Sequence, residues 1–506
     1  MSELTASLPP KPPPHPAARL QDFPDRLSPV LVKELRQGMR TYFFSITFIL
    51  LQAVMLFTVF VGATNPSGTS QTVTGIFWFF AYATLGVALP LRGFSSLSSE
   101  IKGDTMELIR MTRMGSWGLT FGKWAALTSQ MLLFAIGLLP YILIRYYLGG
   151  VEVIDELRLF GILVFQSAVT TAFVVGMSTF RSVLLRLGIM VGLPFAIYLV
   201  MLVVTVSRMA SSFTAPGSTT TSTGISFSPD DLADWRLLLA SGAFSIYFFL
   251  DFGASRLAAE AVNFATRKRL LTVAYIGLML LMPLTGIPAG ACLFYALLGM
   301  VYASLDCLTE APVITSEIMR PFHGVLRPAG FLLSPGWHTG IFFVPLLAGL
   351  VVLFKITHFA SVIMTEQIWT FSFAFLGTIT LPSLIIHLFF HQRSSLTGHF
   401  GTYVLIQIAL FALTLIAFIF ASALGQTEKA LLFLPLPSVI LVGFVEDAAR
   451  ATPLLPVVMA QVGLAVLVPA LRAVPLYRAM NRAARGAQTG DRQGDLISPH
   501  VGDVNL

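Results

Sequence analysis

Charge and cysteine are what this sequence has least of. Only 11% of its 506 residues are charged and two are cysteine, against 55% that are hydrophobic. So few charges cannot clothe that much apolar material in an aqueous surface, which excludes a soluble globule and implies a polytopic membrane protein. Cys292 and Cys307 lie near opposite ends of one apolar segment, too far apart for a disulfide, so redox chemistry is no lead. The first stretch, MSELTASLPPKPPPHPAARLQDFPDR, is Pro-rich and lacks an apolar core. It excludes a cleavable signal peptide and implies a disordered cytosolic tail over 1–27. A net charge of +7 would suit nucleic acid, but the basic residues are scattered among short loops rather than gathered on one face. Membrane topology accounts for them, and nucleic acid is not an expected partner.

What is abundant is long apolar runs. Crossing the hydrocarbon layer takes about 20 residues, and runs of that kind fall at 41–62, 71–91, 119–144, 159–180, 183–206, 236–252, 270–287, 289–306, 339–356, 368–390, 402–424 and 452–474. The expected fold is an all-α transmembrane bundle of about 12 spans. With the N-terminus inside, Lys33, Arg36, Arg40, Arg110, Arg113, Lys123, Arg181, Arg186, Arg267, Lys268, Arg269, Arg393, Arg478, Arg482 and Arg485 all fall in the cytoplasm. The opposite loops are uncharged, acidic or Ser/Thr-rich. Both termini are therefore expected inside, in the cytoplasmic (inner) membrane of the cell. The apolar stretch 429–450 is read as re-entrant or interfacial, broken by Pro435 and Pro437, because a further crossing would invert the basic residues after it.

Two polar elements interrupt this pattern on the cytoplasmic side. In SPVLVKELRQGMR, Ser28 can cap a helix whose first residue is Pro29. Leu31, Leu35 and Met39 then share one face, while Lys33, Arg36, Gln37 and Arg40 share another, as in a helix lying in the headgroup layer with its apolar stripe toward acyl chains. In SSEIKGDTMELIRMTRMG, Asp104 and Glu107 form a capping-box-like start and Gly115 suits a left-handed C-cap. The expected helix runs from Thr105 to Met114 and presents Met106, Leu108, Ile109 and Met111 to a soluble partner; a mere connector would expose them for no gain.

Together these elements resemble the permease subunits of ABC-2 type exporters. There, an amphipathic elbow helix precedes the first span and a Gly-Thr-Leu-Glu-like loop follows the second. The matching residues are Ser28, Pro29, Val30, Leu31, Lys33, Glu34, Leu35 and Arg36, then Ser99, Glu100, Gly103, Thr105, Glu107, Leu108, Thr112, Gly122 and Lys123. The likeness covers 28–145. It implies a coupling element at Glu100, Asp104, Thr105, Glu107, Leu108, Arg110 and Met111, and an elbow at Pro29, Lys33, Glu34, Arg36 and Arg40. It also implies a separate cytosolic ABC ATPase as partner, with ATP and magnesium on that partner and no cofactor on this chain. Family subunits commonly have six spans and pair. Here 28–252 and 253–474 read as two halves, the second degenerate, followed by a basic, disordered tail over 475–506; whether two chains also pair stays open.

Other patterns read as decoys. GLTFGKW, Gly118 to Trp124, is one residue short of a phosphate-cradling loop and lacks its hydroxyl, so no enzyme activity is expected of this chain. Ser99 to Lys102 fits Ser-x-x-Lys without the motifs that make it acylating. His387 and His391, spaced i, i+4, are read as interfacial rather than as metal ligands. Arg145, Asp251, Asp306 and Glu366 fall near span ends and are expected to snorkel toward headgroups. Two other function classes stay in view: a membrane scaffold without transport, and a secondary transporter, which calls for an ionisable pair at the bilayer midplane.

Overall fold

The computed structural model describes residues 29–64, 71–102, 115–148, 152–180, 182–183, 185–188, 234–258, 262–322, 327–358, 366–390, 399–423 and 454–489. Among these there is no strand, and ten helices are long and apolar enough to cross a membrane. The chain is a multi-pass helical membrane protein.

The order is α1 (Pro29–Met39), α2 (Tyr42–Ala63), α3 (Gln71–Ala81), α4 (Ser98–Lys102), α5 (Ser116–Leu148), α6 (Val153–Met177), α7 (Trp235–Leu257), α8 (Ala265–Leu281), α9 (Ala289–Thr309), α10 (Ser316–Met319), α11 (Arg327–Leu333), α12 (Trp337–His358), α13 (Glu366–Phe389), α14 (Phe400–Ala423) and α15 (Leu454–Thr489). Ten of the expected spans coincide with the ten candidate crossings, and 402–424 coincides with α14. Most of 183–206 and all of 429–450 lie outside the described residues.

The second span is not a plain helix. After α3 it widens into a π-helical turn, Tyr82–Ala88, then tightens through Leu89–Leu91 into a 3₁₀ turn, Arg92–Ser95. Pro90 has no N–H to give the carbonyl one turn earlier, and its ring crowds that turn, so the ladder shifts register. The Leu85 carbonyl accepts instead from the Ser167 hydroxyl of α6. Apolar neighbours alone would leave it unsatisfied inside the bilayer.

Packing follows one scheme twice. Counting the described spans of each set in the expected order, first packs on second and third, second on third and fourth, third on fourth and sixth, and fourth on sixth; every one of these contacts occurs both in α2 to α7 and in α8 to α15. One buried core, around Phe77, Leu85, Phe134 and Phe160, belongs to the first four spans. A larger one, around Phe244, Tyr275, Phe343 and Phe354, joins α7 to the second set.

The final helix departs from expectation. It runs on to Thr489, so 475–489 is helix rather than disordered tail. Met480 and Ala483 are buried against Ile314, Ile318, Met319 and Phe322. Their spacing matches a helical face, which Arg478 and Arg482 on the other side obscured in the sequence.

Candidate functional site

Helix α1 forms as the sequence pattern requires. Lys33, Arg36, Gln37 and Arg40 are exposed, and Leu31, Leu35 and Met39 are partly covered. The face that meets protein is the adjacent one of Val30, Glu34 and Gly38: α1 lies along α5, with Val30 against Gly122. A Cβ at position 122 would sit 3.0 Å from the Val30 side chain, so the glycine sets how closely the two helices approach.

Charge decides the register of that contact. Lys123, 4% exposed, holds Glu34 of α1 at 3.0 Å and Glu100 of α4 at 2.9 Å. A lysine so deeply buried is stable only when paired, and here the two anions come from separate elements. Just past α1, Arg92 donates to the Gly38 carbonyl and the Thr41 hydroxyl, each at 3.2 Å, and to the Gln130 side chain of α5. The segment leading into α4 is pinned again from behind. Arg186 donates to Ser98 Oγ at 2.7 Å and to the Phe94 carbonyl, while the Leu97 N–H donates to Ser178 Oγ at 3.3 Å. Helix α1, the third span and the root of the loop after the second span thus form one polar assembly.

The second set carries a counterpart at the equivalent places. Lys268, at the start of α8, pairs with Asp306 at 2.6 Å and approaches Glu310 at 3.6 Å. Arg269 pairs with Glu310 at 3.2 Å and donates to Thr339 Oγ1 at 2.7 Å. Glu310 also accepts from the Gly336 N–H at 3.1 Å, which closes the long connection onto its own start. Gly336 has φ +126°, and a Cβ there would lie 2.8 Å from the Pro312 backbone, so only glycine fits this closure. Arg267 pairs with the fully buried Asp251 of α7 and lies over the Trp117 ring at 5.1 Å. In both sets, charges from the residues entering the first span and leaving the second meet a group entering the third, which is Lys123 in the first set and the neutral Thr339 hydroxyl and Gly336 N–H in the second.

Asp251, Asp306 and Arg145 therefore do not snorkel. Arg145, 1% exposed, holds Glu156 at 2.8 Å and Thr74 Oγ1 at 3.0 Å, with its guanidinium over the Phe77 ring. That pair belongs to the other end of the bundle: Lys123 and Arg145 are about 33 Å apart along α5 at 1.5 Å per residue. These are cross-helix pairs near span ends rather than at the midplane. The Glu366 side chain lies outside the described residues.

Of the residues expected to meet a partner, Glu100 is placed, whereas Asp104, Thr105, Glu107, Leu108, Arg110 and Met111 lie outside the described residues. Of the elbow residues, Pro29 opens α1 and Glu34 joins the assembly. The stretch 118–124 is helical, with Lys123 committed to its two glutamates. His387, in the last turn of α13, is buried with its ring 4.2 Å from Trp337; His391 lies outside the described residues. Sequence reasoning put Lys123, Lys268 and Arg269 on the cytoplasmic side without naming their partners, and passed over Arg92. The usable signal was each cation's position within a turn of an apolar run, where bilayer or protein must surround it.

Compared with protein-family models, with curated proteins and with solved structures, the chain matches none.

Proposed function

We propose that this chain is the membrane-spanning subunit of an ATP-driven exporter of the ABC-2 kind, with both halves of the permease on one polypeptide. The observation that carries the reading is the convergence of Glu34, Lys123 and Glu100. It ties the amphipathic helix before the first span, and the root of the polar insert after the second, to one transmembrane helix. A push on that insert from a cytosolic ATPase would move α1 and α5 together rather than deform a loose loop. The recurring packing scheme and the second charged assembly at Lys268, Arg269, Asp306 and Glu310 support two halves in one chain. The dense assemblies at one end, rich in lysine and arginine, support placing that end in the cytoplasm.

In this reading the permease needs only two packings of similar free energy, and the binding states of the ATPase select between them. The test is co-purification from solubilised membranes, followed by ATP hydrolysis in the captured fraction. Wild type should retain a soluble ATPase, and Glu107→Lys should release it. Failure of the wild type to retain one, or retention and transport unchanged by Glu107→Lys, overturns the assignment.

A further inference from the structure

Five cations packed between helices at the polar end are spoken for. Lys123, Arg186, Arg267, Lys268 and Arg269 each hold a carboxylate, carbonyl or hydroxyl. Arg256, near the end of α7, has no hydrogen-bond or ion-pair partner among the described residues. Its guanidinium carbon lies instead over three rings, Phe180 at 4.3 Å, Phe252 at 4.8 Å and Phe400 at 5.1 Å. Those rings also pack on one another, Phe180 on Phe400 at 4.7 Å and Phe252 on Phe400 at 5.3 Å. All three rings are buried; Arg256 keeps solvent-accessible surface as a residue, while its guanidinium sits deep among protein atoms between the sets. The rings come from the fourth and sixth spans of the first set and from α14 of the second, so the seam between the sets builds the cradle.

Asp306 and Glu310 are committed to Lys268 and Arg269. Arg256, Arg267, Lys268 and Arg269 face three carboxylates, those of Asp251, Asp306 and Glu310, which leaves one positive charge over. Ring stacking occupies the flat faces of the guanidinium and leaves its edge, whose parallel N–H groups match two oxygens of a phosphate. Beside the cradle, Val183 is 50% exposed and Leu187 52%, while Leu185 packs on Gly401. A cationic edge beside an apolar strip at the end of a span fits a headgroup with its acyl chain attached.

We propose that Arg256, held over the Phe180, Phe252 and Phe400 rings, binds the phosphodiester of an anionic membrane lipid at the seam between the two sets of spans. This holds whether or not the chain transports anything. The test uses the full chain in phosphatidylcholine nanodiscs with labelled phosphatidylglycerol titrated in, for wild type, Arg256→Ala, Arg256→Lys and the opposite-end control Arg236→Ala. Arg256→Ala should weaken phosphatidylglycerol binding by about ten-fold or more, the loss of one charge-assisted hydrogen bond. Arg256→Lys, which keeps the charge but not the fork or the stack, should fall between, and Arg236→Ala should match wild type. Unchanged affinity in Arg256→Ala overturns the proposal. So does full displacement of the lipid by millimolar inorganic phosphate, which would put a soluble anion on the guanidinium. If Arg256→Ala does not fold, Arg256→Gln is judged by the same criterion.

Discussion

Replacing Lys123 by methionine tests the Glu34, Lys123 and Glu100 assembly most directly. Methionine fills the same volume between α1 and α5 but leaves two carboxylates facing each other. Removing one partner of a buried ion pair costs about 3–5 kcal/mol. Glu34 and Glu100 are 27% and 17% exposed, so water recovers part of that, leaving about 2–3 kcal/mol. The loss falls on the attachment of α1, since the fold of α5 does not depend on the lysine. At about 1.36 kcal/mol per decade, the amides of α1 should exchange with solvent about 30- to 160-fold faster. Hydrogen exchange of the chain in nanodiscs, read by mass spectrometry over 29–39, measures this. The triple variant Lys123→Met, Glu34→Gln, Glu100→Gln carries no stranded charge and should recover most of the protection. Unchanged exchange in Lys123→Met, or a triple variant as labile as the single one, would refute the reasoning.

Packing and charge at other places lead to three further expectations. A Cβ on Gly176 would lie 2.5 Å from the Phe249 carbonyl oxygen, where α6 crosses α7; Gly176→Ala should lower thermal stability by about 1–3 kcal/mol. Gly277 has open space around its would-be Cβ, so Gly277→Ala should be neutral or gain about 0.5–1 kcal/mol in the same assay. At the N-cap of α7, Asp234 accepts from the Arg236 backbone N–H at 2.8 Å and pairs with its guanidinium at 2.9 Å. The Arg236 side-chain hydrogen bond holds the Asp234 carboxyl below its ordinary value. A lowered folded value means the contribution is complete above the unfolded value of about 3.9 and is lost as pH falls through the folded one. Melting temperature against pH should therefore fall more steeply below about pH 4 in wild type than in Asp234→Asn; parallel curves would exclude the pairing.

Much was written locally. Segments such as 42–63 and 289–309 are apolar all round and long enough to cross, and burial in a bilayer needs no knowledge of neighbours. The amphipathic helix Pro29–Met39 was equally legible, because a first-position proline and a 3.6-residue stripe both act within a few residues. The failures share a cause. Arg145, Asp251 and Asp306 looked like ordinary charges at span ends, and 475–489 like a basic tail, because composition reports what a segment carries and not what it meets.

Composition and periodicity alone determined that this chain is a membrane bundle, where most of its helices lie, and that an amphipathic helix precedes the first span. Only the tertiary structure decided that Lys123 reaches Glu34 across 89 positions of sequence, that Lys268 and Arg269 close on Asp306 and Glu310, and that Arg256 is left over. Lipid imposes its demand on each helix separately, so the span pattern is local; a buried charge is neutralised by whichever helix lies against it, and that depends on how all the helices pack.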